Sequence, residues 1–220
     1  MVFILLNYKT FDEGTGAKSV DIARACRDVS ESSGIEIAVA PQFPDLFRIS
    51  SAVDIPVFAQ HVDGIGSGSN TGQIYSRCIR EAGASGSLIN HSEKRMTLAD
   101  IERSLLSLKE NRMRSVICTN NVATTAAASA LSPDYVAIEP PELIGTGVPV
   151  SKANPGIITD SVEAARKIDK KVVVLCGAGI SKGEDLKAAI ELGAGGVLLA
   201  SGIIKAKDPK AALEDLVSLI

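Results

Sequence analysis

The sequence predicts an α/β fold, a single-domain (β/α)8 barrel, and three observations predict it. Eight short apolar, β-branched runs recur along the 220 residues. Most are continuous rather than alternating, the pattern of parallel strands buried on both faces. Each run is followed by Gly, Pro, Asn or Ser and then usually by a longer amphipathic segment, and no linker divides residues 1–220. An open doubly wound sheet usually has fewer strands and a phosphate turn after its first, whereas eight alternations fit a closed barrel.

The runs are Val2–Leu6, Ile35–Ala40, Pro56–Ala59, Ser87–Asn90, Ser115–Thr119, Tyr135–Ile138, Val172–Cys176 and Gly196–Ala200. Between them, Ala17–Ser32 places Val20, Ala23, Ala25 and Val29 near one helical face. Thr97 opens a helix with Asp100 three residues later, a start resembling a capping box. Asp160–Ile168 and Gly183–Gly193 keep the same period, with Gly193 placed to end the second of them. Asp208–Ile220 closes the chain, with Pro209 in its first turn. The connection after Ile35–Ala40 is expected to hold only short or 3₁₀ helices.

Composition removes whole classes. The chain is 45% hydrophobic and 22% charged, unlike a disordered segment. Its net charge of −3 and lack of a basic block argue against a nucleic-acid partner. Cys26, Cys78, Cys118 and Cys176 form no CxxC pair, so neither a disulfide framework nor a metal site is expected. The apolar start lacks a basic leader and a cleavage site, and no long uncharged apolar run suggests a membrane span. The expectation is a soluble cytoplasmic protein. Two glycine motifs are decoys. Gly14–Ser19 lacks the adjacent Gly-Lys of a P-loop, and Gly64–Gly72 fails the GxGxxG spacing.

In a barrel, function gathers at the C-terminal strand ends. Asn7 and Lys9 follow the first strand, Asn90 and His91 the fourth, and Glu139 the sixth. Cys176–Gly179 follow the seventh and Ala200–Gly202 the eighth. Singly, each has an ordinary reading: a surface lysine, a hydrogen-bonded histidine, a solvated carboxylate, glycines that only turn the chain. Cys118 and Cys176 are read as packing groups. Together, a lysine, a histidine and a carboxylate converge beside two turns rich in backbone N–H donors. That suggests proton abstraction next to a carbonyl in a small phosphorylated sugar.

The motifs Asn7–Lys9, Asn90–Arg95, Ile138–Gly147, Cys176–Ser181 and Leu198–Gly202 together resemble the triosephosphate isomerase family. Pro149–Pro155 and the short length resemble its archaeal branch. The resemblance spans the whole chain, its motifs in the family's order. It implies a TIM barrel that interconverts dihydroxyacetone phosphate and D-glyceraldehyde 3-phosphate in glycolysis and gluconeogenesis, without cofactor or metal. Glu139 would be the base, His91 the neutral electrophile and Lys9 the cation that stabilises the enediolate, with Asn7 touching substrate. This family is itself a standing instance of a Glu base, a neutral His and lid closure. A helix start after His91 would disfavour imidazolium through its dipole. Glu93 would organise Lys9. Pro141–Gly147 would be the lid. Ile144, Gly145, Gly179, Ala200, Ser201 and Gly202 would bind phosphate.

The chain also departs from the family. Glu142 stands where many members carry Trp, Val148–Pro149–Val150 replaces Lys-Thr-Ala, and Ala178–Gly179 replaces Gly-Ser. The loop Gln60–Gln73 would insert into a second subunit, with Thr71 reaching Asn7 or Lys9 there. The expected partners are triose phosphates and further copies of the chain, as dimer or tetramer. Another phosphate-binding isomerase or epimerase, or a non-catalytic sugar-phosphate barrel, stays open as an alternative. Eight units in 220 residues leave about 27 each, against roughly 31 in a typical barrel, so the outer helices should be trimmed.

Overall fold

The computed structural model describes residues 2–143 and 147–220. Its strands are β1 (Phe3–Asn7), β2 (Glu36–Ala40), β3 (Phe58–Ala59), β4 (Gly86–Ile89), β5 (Arg114–Thr119), β6 (Tyr135–Ile138), β7 (Val173–Gly177) and β8 (Gly196–Leu199). All pair in parallel, in the order β2-β1-β8-β7-β6-β5-β4-β3. The ring closes between its two edges where Val39 bridges Val57, with Val39 N–H donating to Pro56 O at 3.1 Å. Every expected run is a strand, shifted by two residues at most at either end.

The helices are α1 (Ala17–Ser33), α2 (Leu46–Ser50), α3 (Ser76–Glu81), α4 (Leu98–Glu110), α5 (Val122–Ser129), α6 (Val150–Ala153), α7 (Pro155–Ile168), α8 (Gly183–Glu191), α9 (Ser201–Ile204) and α10 (Pro209–Val217). Thr97 caps α4 as expected, its hydroxyl accepting from Asp100 N–H at 3.2 Å. Gly193 ends α8 at φ +95, with its N–H on Ile190 O and Ala194 N–H on Ala189 O, a Schellman motif. Pro209 starts α10 behind an Asp208 cap. α7 begins at Pro155, five residues before the amphipathic signal. α5 escaped the sequence reading because its Ala and Thr residues draw no apolar stripe; an Asn121 capping box starts it. The trimming falls mainly on α2, α3 and α5, of 5, 6 and 8 residues.

Strand parity sorts side chains into two cores. Residues facing the barrel axis include Phe3, Leu5, Ala38, Phe58, Leu88, Val116, Ala137, Leu175 and Leu198. The opposite parity, including Ile4, Leu6, Ile37, Val39, Ile117, Val136 and Val174, packs against the helices. Fully burying one such Leu or Ile stabilises the fold by about 2 kcal/mol. At the N-terminal end, Arg114 lies over the rings of Phe3 (5.3 Å) and Phe58 (5.1 Å) and pairs with Glu36 at 2.8 Å. Tyr135 stacks on Phe3 at 4.7 Å, so aromatic groups and one guanidinium close that end. Among the described residues, no helix is long and apolar enough to cross a membrane. The four cysteines are free.

Candidate active site

Continuing the inward parity past the apolar layers brings polar residues to the C-terminal mouth. Positions 3 and 5 lead to Asn7, and 135 and 137 lead to Glu139. A cleft of ≈ 190 Å³ opens there, lined by Asn7, Lys9, His91, Glu139 and the turns after β7 and β8. Among the described residues, three of the five non-glycine residues with positive φ stand at this mouth: Lys9 (+48), Asn90 (+59) and Ala178 (+72). Such strain persists only where neighbours over-determine it.

For Lys9 those neighbours are explicit. Its N–H donates to Asn7 Oδ1 at 2.9 Å. Gln60 Nε2 bonds Lys9 O at 2.9 Å, Ala40 O at 3.0 Å and Asn7 Oδ1 at 3.3 Å. The turn is thereby pinned, and Lys9 Nζ reaches into the cleft to donate to Glu93 Oε1 at 2.9 Å. Glu93, expected to organise Lys9, is the partner in this ion pair. Gln60 had appeared in the sequence only as a loop boundary, because its role depends on three chain segments meeting.

His91 is buried, but no helix starts beside it. Residues 92–94 form a turn, with Lys94 N–H on His91 O at 2.8 Å, and α4 begins only at Leu98. The dipole argument therefore fails and a direct hydrogen bond replaces it. Glu93 N–H donates to His91 Nδ1 at 3.3 Å, which requires a lone pair there and places the ring proton on Nε2. Glu93 Oε2 lies 3.5 Å from the same nitrogen, while the other carboxylate oxygen is engaged by Lys9. Asn90 shapes the turn by donating to Cys118 O and accepting from Met96 N–H, both at 2.9 Å.

Glu139 is buried, its Oε2 accepts no hydrogen bond, and that oxygen lies 3.7 Å from His91 Nε2. Glu139 thus brings an unpaired carboxylate oxygen to the wall of the cleft, next to the imidazole. Gly177 makes room for it, since a Cβ there would overlap Glu139 Cγ. Burial, and then the Glu139 charge, raise the Cys118 thiol well above its ordinary value, so a neutral thiol stands beside the carboxylate. Burial likewise raises Cys176.

The turns after β7 and β8 complete the mouth. Ala178 and Gly179 both have positive φ, and a Cβ on Gly179 would overlap the Val148 carbonyl. Ser201 and Gly202 form the first turn of α9, ahead of its first internal bonds from Ile203 and Ile204 to Ala200 O. Both residues line the cleft. Gly147, Gly179, Ala200, Ser201 and Gly202 all line it. Ile144 and Gly145 lie outside the described residues. Thr71 does not join the cleft; it is exposed in a loop closed at its base by the Asp63–Tyr75 bridge. The decoy at Gly14–Ser19 has its Gly16 N–H engaged by the Asp45 carboxylate at 2.8 Å, which leaves an anion where a phosphate would need donors.

Residues 2–220 match the sequence model of a family described as triosephosphate isomerase. A protein named triosephosphate isomerase from Methanosarcina acetivorans is 68% identical over 218 residues, covering 99% of this chain and 98% of its own. The protein of the same name from Methanothermobacter thermautotrophicus is 59% identical, covering 99% and 95%. That from Methanocaldococcus jannaschii is 55% identical, covering all of both chains.

Proposed function

The chain belongs to the triosephosphate isomerase family and is an isomerase of triose phosphates, and from that premise we propose how its residues do the work. Glu139 takes a proton from one substrate carbon and returns it to the neighbouring one. His91, with its proton on Nε2, donates to the carbonyl oxygen as negative charge develops there. Lys9 neutralises that charge and Asn7 orients the substrate. The observation that carries this reading is the unpartnered Glu139 Oε2, buried and 3.7 Å from His91 Nε2. Between these two groups an enediolate can be made and unmade without a cofactor.

Gly179, Ala200, Ser201 and Gly202 take the phosphate through backbone N–H groups, and Ile144 and Gly145 keep the covering role that the resemblance gave them. Closure excludes water and protects the enediolate from losing phosphate. The reaction serves glycolysis and gluconeogenesis in the cytoplasm, with residues 1–220 acting as one domain. The working form is a homo-oligomer, dimer or tetramer. Phe47 (69% exposed), Leu98 (59%) and Leu106 (52%) support that reading, as does the exposed loop carrying Thr71. In that assembly Thr71 braces Asn7 or Lys9 of a neighbouring copy. Light scattering that finds a fully active monomer would exclude it.

The test of the chemistry is a coupled assay with D-glyceraldehyde 3-phosphate on wild type and Glu139→Ala. Loss of the base alone lowers kcat by about 10²–10⁴. An inactive wild type or an unimpaired variant refutes the assignment.

A further inference from the structure

Beneath the cleft lies a buried carboxylate that the chemistry above does not use. Asp185, in the first turn of α8, has a side chain only 3% exposed. Its Oδ2 accepts from the N–H groups of Ser181 and Lys182, each at 3.2 Å, and lies 3.4 Å from Ser181 Oγ. These bonds set the turn after β7. Its Oδ1 is buried and accepts no hydrogen bond of good geometry, but the Lys152 ammonium lies 3.2 Å away. Lys152 belongs to α6, the helix that the chain enters directly from Val148 and Pro149 at the end of the lid segment.

Asp185 therefore touches both sides of a junction. On one side Ser181 packs on Gly202, where a Cβ would stand 3.0 Å from Ser181 Cβ. Shifting Ser181 thus shifts the first turn of α9. On the other side the entry to α6 meets the turn after β7, with Val150 N–H on Ala178 O at 3.4 Å and Gly179 packed against the Val148 carbonyl. A charge-assisted contact is about twice as strong as a neutral one. Lys152 is itself 56% exposed, which screens part of the attraction, but removing it leaves the buried Asp185 Oδ1 without its cation. Glu184, 3.7 Å from the same ammonium and largely exposed, adds little.

We propose that the Lys152–Asp185 ion pair is a positioning strut that fixes the lid's C-terminal anchor to the phosphate-binding turns, and so tunes the grip on the phosphoryl group. The proposal rests on the isomerase reading and names a regulator of its phosphate specificity. Among the described residues no hydrogen bond or ion pair joins Lys152 or Asp185 to Glu139, His91 or Lys9, so the strut acts on the phosphate and not on the proton transfer.

A substrate with and without phosphate separates this role from a merely structural one. Lys152→Met and Lys152→Arg are compared with wild type on D-glyceraldehyde 3-phosphate and on D-glyceraldehyde. Sub-ångström placement of binding groups governs rate, so Lys152→Met should lower kcat/KM on the phosphorylated triose by about 10-fold or more and change it by less than about twofold on glyceraldehyde. Lys152→Arg should recover most of the loss. Asp185→Asn, which keeps an oxygen for Ser181 and Lys182, should show the same selective loss. Equal losses on both substrates, or none on either, overturn the proposal. A wild type inactive on the phosphorylated triose overturns the isomerase reading as well, whereas an active wild type with unmoved variants overturns the strut alone.

Discussion

Replacing Gly177 by Ala tests the placement of the base without touching its chemistry. The three heavy atoms nearest a Cβ at that position all belong to Glu139: Cγ in overlap, Cδ at 3.1 Å and Oε1 at 3.2 Å. Gly177 is not among the positive-φ glycines, so its backbone accepts alanine without strain. The whole conflict therefore falls on Glu139. Carbon atoms pack at about 3.5–4.0 Å, so the carboxylate must move by about 1 Å. A misplacement of about 1 Å costs roughly 10²-fold in rate, equivalent to about 2.7 kcal/mol of barrier. Gly177→Ala should thus lower kcat about 100-fold while KM stays within about threefold, since the conflict leaves the turns proposed to hold the phosphate in place. The assay is the coupled measurement on D-glyceraldehyde 3-phosphate, with circular dichroism to show that the variant folds. A folded variant whose kcat lies within about threefold of wild type would refute the argument that Glu139 works from its crowded position.

Three further outcomes are expected. Gln60→Ala removes the donor shared by Lys9 O, Ala40 O and Asn7 Oδ1; urea unfolding should show a loss of about 1–3 kcal/mol, with kcat/KM falling as Lys9 relaxes. Arg114→Met removes the Glu36 pair and two ring contacts at the opposite end of the barrel; stability should drop by about 1–2 kcal/mol with kcat unchanged. Burial pushes His61 below its ordinary 6.5, only partly opposed by its hydrogen bond to Asp63. The unfolded chain then binds a proton that the folded ring resists, so this contribution is full above pH 6.5 and lost as pH falls through the folded value. His61→Asn should flatten the decline in urea midpoint below that pH, and an unchanged slope would exclude His61 as its source.

The strands were legible because burial on both faces demands unbroken apolar runs, and only the double cover of a barrel buries all eight so completely. The mouth was legible for a related reason: the first polar residues past each run, Asn7, Asn90 and Glu139, are where the apolar layers stop. The connection after β2 holds the short 3₁₀ and α helices expected there, but other short helices were not legible. α6 and α9 are single turns held by tertiary contacts, with too few residues to display a period. The expected helix after His91 was wrong because polar residues beside a histidine suit a turn equally well, and there Asn90 and Met96 close one. Gln60, Gly177 and Asp185 were in the reading only as a loop boundary, a turn and a helix position, and their supporting roles were hidden because nothing in one strand records which neighbour leans on it. Positive φ at Ala178 was equally hidden, since alanine gives no sign of a left-handed turn.

The closure of the ring has a consequence for where the molecule breathes. β1 joins β2 through five facing residue pairs and β6 joins β7 through four, but β2 meets the β3 segment through a single bridge. Local opening free energy should therefore be graded around the barrel and lowest along that seam, so that amide protons there exchange before those of β6 and β7. Gln60 stands at the top of the seam like a rivet, binding Ala40 on one bank and sitting one residue past β3 on the other. Glu139 and the turns after β7 and β8 ride on the laced arc, as does the Lys9 turn at the end of β1, which Gln60 ties across the top of the seam. On the proposed roles, such a barrel would set Glu139 on its more firmly paired strands and leave its most loosely joined strand edge within one hydrogen-bonded side chain of the Lys9 turn.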